Sequence, residues 1–132
     1  MGRGRLWAGR IVSALPVLLL AFSAFMKLRG PAEVVQVFTG KFGYPAQTLT
    51  PLGIVELSCA VLYAIPQTAV LGAVLMTGYL GGAVATHFRV SDPQWFGPAV
   101  LGALAWLGLY LRDPRLRDLL PLRRLPRQSG NP

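Results

Sequence analysis

The sequence predicts an all-α integral membrane four-helix bundle with both termini cytoplasmic and a short outer surface helix between spans one and two. Three observations carry this. Only 14% of the 132 residues are charged and 53% are hydrophobic, whereas a soluble domain carries about 25% charged residues to cover its water-facing surface. Thirteen Lys and Arg against five Asp and Glu give a formal charge of +8, and the basic residues crowd the two ends of the chain. Between them lie charge-free runs long enough to cross a bilayer.

The runs locate the spans. Ile11 to Met26 is sixteen uncharged residues between Arg10 and Lys27. Pro51 to Phe88 is thirty-eight residues with one charge, Glu56. As a helix that run would be about 57 Å long, roughly twice a hydrocarbon core of about 30 Å, so it holds two spans. The break falls at Pro66-Gln67-Thr68, which combines its internal proline with a polar pair. Pro93 to Leu111 supplies nineteen more uncharged residues. The expected spans are about 7–27, 51–66, 67–88 and 95–111, in one domain covering 1–132 with a basic cytoplasmic tail over 112–132.

Span two has Thr50 as its expected N-cap and Pro51 at its first helical position. From Pro51 to Ile65 it has fifteen residues, few for a bilayer, so it begins earlier in the loop or its hairpin lies below the headgroups. Pro16 and Pro98 read as tolerated kinks in spans one and four. Span one has the basic start and small residues of a signal peptide, and is read here as a retained helix. Pro31-Ala32-Glu33 with Val34, Val35, Val37 and Phe38 predicts the short surface helix, closed by Gly40, Gly43 and Pro45. Nine basic residues, from Arg3 to Arg127, share the face of the termini, against Lys27, Arg29, Lys41 and Arg89 on the other. The excess places the termini inside. Trp7, Trp106 and Tyr110 are then expected at the inner interface, and Tyr44, Trp95 and Phe96 at the outer one.

Composition also removes function classes. Leu, Val, Ala and the aromatics exclude a disordered chain. Basic residues gathered at span ends suit lipid headgroups, not a nucleic-acid groove, so no nucleic-acid partner is expected. One cysteine, Cys59, excludes an internal disulfide, a CxxC pair and a thiolate cluster. One histidine, His87, excludes bis-histidine haem and HExxH zinc, and no metal site is expected.

Polar groups are costly in lipid, so their stripes should face the bundle interior. On span one Ser13, Pro16, Leu20, Ser23 and Lys27 share a face; on span two Gly53, Glu56, Cys59, Ala60 and Tyr63 do. A lysine stem reaches from Lys27 to Glu56, so these two are expected to pair. Gly78, Gly81, Gly82 and Ala85 form a small-residue face on span three, expected to pack a helix closely or to join copies of the chain. Continued at about 100° per residue, that face carries Arg89 and leaves His87 nearly opposite. Arg89 is therefore expected to join Lys27 and Glu56 in an outer cluster of net charge +1, suited to an anionic or carbonyl-bearing guest. His87 is expected at a different neighbour, the lipid interface or a partner protein, or else as proton donor at a quinone-like site.

The candidate buried polar cluster is thus Lys27, Glu56, Arg89, His87 and Tyr63, with no catalytic residue assigned. Glu56 has two readings: a proton carrier or ligand anchor, or a clasp with Lys27 or Arg89 that only orients helices. Cys59 reads as a buried filler, and Tyr63 as a belt residue. Arg112 to Leu120 predicts a short surface helix with Leu116, Leu119 and Leu120 on one face, touching anionic lipid.

The order of these residues resembles the DoxX-like family of small four-span bacterial membrane proteins. The likeness runs from Phe25-Met26-Lys27-Leu28 through Gly53-Ile54-Val55-Glu56-Leu57 and Gly78-Tyr79-Leu80-Gly81-Gly82-Ala83. It continues through His87-Phe88-Arg89 to Trp106-Leu107-Gly108-Leu109. The resemblance implies the bacterial inner membrane. It also implies a role like that of relatives that serve as a membrane subunit of a thiosulfate:quinone oxidoreductase, or as partner in a membrane-associated oxidoreductase complex. The expectation is an accessory or redox-linked subunit without a catalytic motif of its own. It would bind a quinone or lipid-like molecule non-covalently, or a membrane or soluble redox partner. The alternatives are a structural or assembly protein and, for an oligomer, a small-molecule transporter.

Overall fold

The computed structural model describes residues 2–123 and 125. Arg124, Arg127 and the rest of the expected basic tail beyond Leu125 lie outside the described residues. Four helices are long and apolar enough to cross a membrane. Their α-helical parts are α1 (Arg3–Arg29), α3 (Leu49–Ala64), α4 (Ala69–Arg89) and α5 (Phe96–Arg112), and the short α2 (Ala32–Gln36) follows the first. The last three run with their leading 3-10 turns over Ala46–Ala64, Pro66–Arg89 and Pro93–Arg112. No strand occurs among the described residues.

Local chemistry sets the breaks. Gly30 ends α1 in the left-handed region (φ 61°), where a side chain is disfavoured, and its N–H donates to the Met26 carbonyl. Pro31 then prevents continuation. A π-helical turn (Val37–Lys41) and a 3-10 turn (Ala46–Thr48) lead into α3. The second span thus starts earlier than the Thr50–Pro51 signal predicts. Pro51 sits within the first turn of α3, where a missing N–H costs nothing. Pro66–Thr68 forms the 3-10 break between α3 and α4, and Thr68 Oγ1 donates to the Leu62 carbonyl, satisfying a last-turn acceptor. Pro98 falls in the first turn of α5, so it starts the helix and does not kink it. The segment expected as a surface helix after α5 is instead a 3-10 turn (Pro114–Asp118). It buries Leu116 and leaves Leu119 and Leu120 exposed.

The helices form a ring in the order α1, α3, α4, α5, with α1 and α4 on one diagonal. Antiparallel packing of α1 on α5 brings the start of α1 and the end of α5 to one end, the terminal end; the α1–α3 and α4–α5 connections form the cap end. Outward side chains are apolar: Ile11 is 68% exposed, Leu18 66% and Phe22 64%. Such faces cannot be covered by water, and lipid is their matching solvent. The inward stripes predicted for α1 and α3 are buried, apart from Ser23, which is half-buried.

Packing is tight at the terminal end. A Cβ on Gly9 would stand 2.5 Å from Arg112 Cγ, and one on Gly108 would overlap the Ser13 hydroxyl. One on Gly72 would overlap the Tyr63 backbone, so α4 is pressed against α3 there. Tyr63, expected in an interfacial belt, is fully buried and ties three helices together. Its hydroxyl donates to the Ala105 carbonyl at 2.6 Å on α5. Having spent its one proton, it accepts from Ser13 at 3.1 Å on α1. Trp106, expected at the interface, donates to Thr77 Oγ1 at 2.6 Å and bridges α5 to α4.

The glycines of span three behave differently. Nothing stands within 4 Å of a Cβ at Gly78, Gly81 or Gly82. The expectation that this face packs a neighbouring helix of the same bundle is therefore corrected: the close crossings are at Gly9, Gly72 and Gly108, with Gly53 set against Leu28 and the Ala24 carbonyl where α3 meets α1 at the cap end. Beside Gly78, Gly81 and Gly82 the helices stand apart and enclose space between them.

Candidate functional site

That space is a cavity of about 920 Å³ at the cap end, walled by all four spanning helices. Leu15, Leu19, Leu20, Ser23 and Lys27 line it from α1, Leu52 and Glu56 from α3. Gly78, Tyr79, Gly82, Ala83, Thr86 and His87 line it from α4, and Phe96, Val100, Leu101 and Leu104 from α5. Its exposed large wall residues are Leu15 and Leu19 on α1 and Phe96 and Val100 on α5. The mouth therefore lies between α1 and α5, on an apolar flank of the bundle.

The polar groups gather deep in this space. Lys27 Nζ meets Glu56 Oε2 at 2.8 Å, with side-chain exposures of 8% and 4%. It also donates to Ser23 Oγ at 2.6 Å, and it stands 5.2 Å from the centroid of the Phe38 ring. Tyr79 donates to the same Glu56 oxygen at 3.2 Å. A buried charge is tolerated only when paired and hydrogen-bonded, and both conditions hold here. Oε1 of Glu56 accepts no bond from any described residue, yet it is not sealed off, so it remains open to the cavity.

Over this end lies the cap formed by the α1–α3 connection. Phe38, Phe42 and Tyr44 close the cavity, with Phe38 and Phe42 edge to face at 5.6 Å. Three ties hold the cap to α4 and the loop after it. Arg89 Nη2 donates to the Phe42 carbonyl. Tyr44 and Thr86 share a hydroxyl bond of 2.7 Å. Lys41 pairs with Asp92 at 2.6 Å. Lys41, helped by the Gln94 N–H, holds the Asp92 carboxyl below the usual carboxylate value of 3.8.

Two expectations on span three are reversed. Arg89 does not reach Glu56; it leaves the bundle to the cap, with its guanidinium 5.5 Å over the Tyr44 ring. His87 turns inward, lines the cavity and meets Phe42 edge to face at 5.1 Å. Gly78 and Gly82 lie at one edge of the inward face of α4 and not at its centre. Tyr79, Ala83 and Thr86 occupy the middle, Leu80 and His87 the other edge, so a face centred on the glycines wrongly turns His87 outward. The pair Lys27–Glu56 is thus neutral, not +1. Tyr63 belongs to the terminal end and takes no part. Tyr79, Ser23, Thr86 and the cap aromatics were missed as site residues. The signal for them was a stripe of polar residues on α4, Tyr79, Thr86 and His87, which the glycine pattern obscured.

The DoxX-like family profile matches residues 11–108, most of the chain. The chain belongs to the DoxX-like family. No similar curated protein and no similar solved structure matches it. The DoxX-like stretch contains the whole cavity wall, the Lys27–Glu56 pair and the cap, and it ends short of Arg112. This DoxX-like protein is a multi-pass membrane protein by the length and apolarity of its four helices.

Proposed function

We propose that this DoxX-like chain is an accessory, redox-linked subunit of the bacterial inner membrane, termini cytoplasmic, that takes an amphipathic quinone- or lipid-like molecule from the bilayer. The cavity carries this reading. Its volume lies in the range of small-molecule sites, its walls are mainly apolar, and its polar groups converge at one end. A mouth between α1 and α5 suits a ligand dissolved in lipid. An apolar tail would lie along Leu15, Leu19 and Val100 while the headgroup reaches Glu56. The chain would hold and orient the ligand; a partner oxidoreductase would supply electrons, because no haem, iron–sulfur or flavin motif is present in the sequence. Anionic lipid at the basic tail would anchor the terminal end.

The test is a lipid extract of the protein purified in native-membrane discs. The wild type should carry an amphiphile at near-stoichiometric yield. A double variant, Leu19→Trp with Val100→Trp, should narrow the mouth and lose it while keeping its thermal midpoint. Equal ligand content in both proteins would count against lateral access. A second reading is a purely structural Lys27–Glu56 clasp, favoured by the completeness of the lysine's bonding; it predicts no bound molecule in either protein.

A further inference from the structure

We infer that the site selects a headgroup that donates hydrogen bonds, a hydroxyl-bearing aromatic or alcohol, over one that only accepts them. The inference rests on the ligand-binding reading above and adds the chemistry of the ligand's polar end. It follows from a count of protons at the deep end of the cavity.

The donors there are nearly all spent. Lys27 gives one proton to Ser23 and one to Glu56, and the Phe38 face stands beside the ammonium. Tyr79 gives its proton to Glu56. Thr86 donates to the Gly82 carbonyl at 2.8 Å, so in the Tyr44–Thr86 bond it is Tyr44 that donates. His87 Nδ1 lies 2.6 Å from the Ala83 carbonyl. A carbonyl only accepts, so Nδ1 carries the hydrogen, and in the neutral ring Nε2 is left as a lone pair. Asp92 at 3.9 Å is beyond hydrogen-bond reach of Nε2, and its Oδ2 is already held by Lys41.

One acceptor, Glu56 Oε1, is therefore open to the cavity and unmatched, and the His87 ring that lines the same space carries a second free lone pair, Nε2, on its Asp92 side. The Ser23 hydroxyl proton, with the rim amide of Gln94, is what remains to donate. A ligand hydroxyl suits this set, giving its proton to Glu56 and taking one from Ser23. A bare carbonyl or ether would leave the carboxylate oxygen dry and unbonded, which is costly at low dielectric. For a quinone-like ligand, the structure thus favours the hydroquinone over the oxidised ring.

The test uses two probes of nearly equal shape, dodecylphenol and its methyl ether, dodecylanisole. Each is titrated into the full chain in lipid nanodiscs and followed by binding-induced change in thermal midpoint and by equilibrium dialysis. The phenol should bind about tenfold tighter or more, the effect of one hydrogen bond to a charged acceptor. His87→Phe keeps the edge contact with Phe42 and should reduce that preference. Glu56→Gln should abolish it, and His87→Phe keeps the test open should Glu56→Gln not fold. Equal affinity for the two probes, or a preference for the ether, overturns the donor inference and leaves the cavity reading standing. Failure of both probes to bind overturns the ligand-binding reading and this inference with it. Dodecylphenol bound equally well by wild type and both variants would mean that the acceptors do not read the headgroup.

Discussion

Lys27 and Glu56, on different helices and 29 positions apart in sequence, meet at 2.8 Å with both side chains almost wholly withdrawn from their surroundings. Removing one partner strands the other, which costs about 3–5 kcal/mol, whereas replacing both by apolar groups of similar volume is near neutral. Glu56→Ala should therefore lower stability in detergent by about that amount, and Lys27→Met with Glu56→Leu by clearly less. Thermal or denaturant unfolding of the two variants decides this. A double variant less stable than Glu56→Ala would show that the two charges are not energetic partners.

The glycines divide into two kinds. Gly72→Ala would drive a methyl into the Tyr63 backbone, which has no rotamer to yield. A loss of about 1–3 kcal/mol is expected for such overpacking. Gly82→Ala meets open space and should be neutral or gain up to about 1 kcal/mol from helix propensity. Comparable destabilisation by both changes would mean that the gap beside Gly82 is filled.

The cap should release in acid. The Asp92 carboxyl is held below its ordinary value by Lys41. A depressed carboxylate contributes stability above its unfolded value and loses it as pH falls through the folded one. Amide exchange over residues 37–45, where Phe42 and Tyr44 bond back to Val37 and Phe38, should stay slow from neutral pH to about pH 4 and quicken below. Asp92→Asn should show the acid behaviour at neutral pH. Unchanged protection in that variant would mean that Arg89 and Tyr44 hold the cap without it.

Orientation can be read with introduced thiols on a Cys59→Ala background. Gln36→Cys, in the exposed part of the cap end, should react with an impermeant maleimide added to whole cells. Gly4→Cys should react only after the membrane is opened. The opposite pattern would invert the bundle and undo the argument from basic residues.

How much of this was legible in the sequence depends on the residue. Charges mark the ends of apolar runs, so Lys27, Arg89 and Arg112 fall in the last turns of α1, α4 and α5, and the break between α3 and α4 shows instead as Pro66 with its polar neighbours. A polar residue in lipid must face inward, which placed Ser13 and Glu56 correctly. Glycine carries no such signal, since it permits close approach without requiring it. Gly72 and Gly108 pack against neighbours while Gly78 and Gly82 line a cavity, and their sequence surroundings do not tell them apart. The error at Arg89 and His87 came from that ambiguity. The cap was missed for another reason: its ties join Lys41 to Asp92 and Tyr44 to Thr86 across more than forty residues of chain, a distance no local pattern spans.

The central claim is that the space between the helices at the cap end is a ligand site opening between α1 and α5. Photolabelling tests it most directly. A diazirine placed on the alkyl chain of dodecylphenol, irradiated with the protein in nanodiscs, should mark Leu19, Val100 or Leu101, and excess dodecylphenol should compete the label away. Adducts spread without competition over Leu18, Phe22 and Val74, whose side chains all face outward, would mean that the probe only dissolves in the surrounding lipid and that the cavity is not its site.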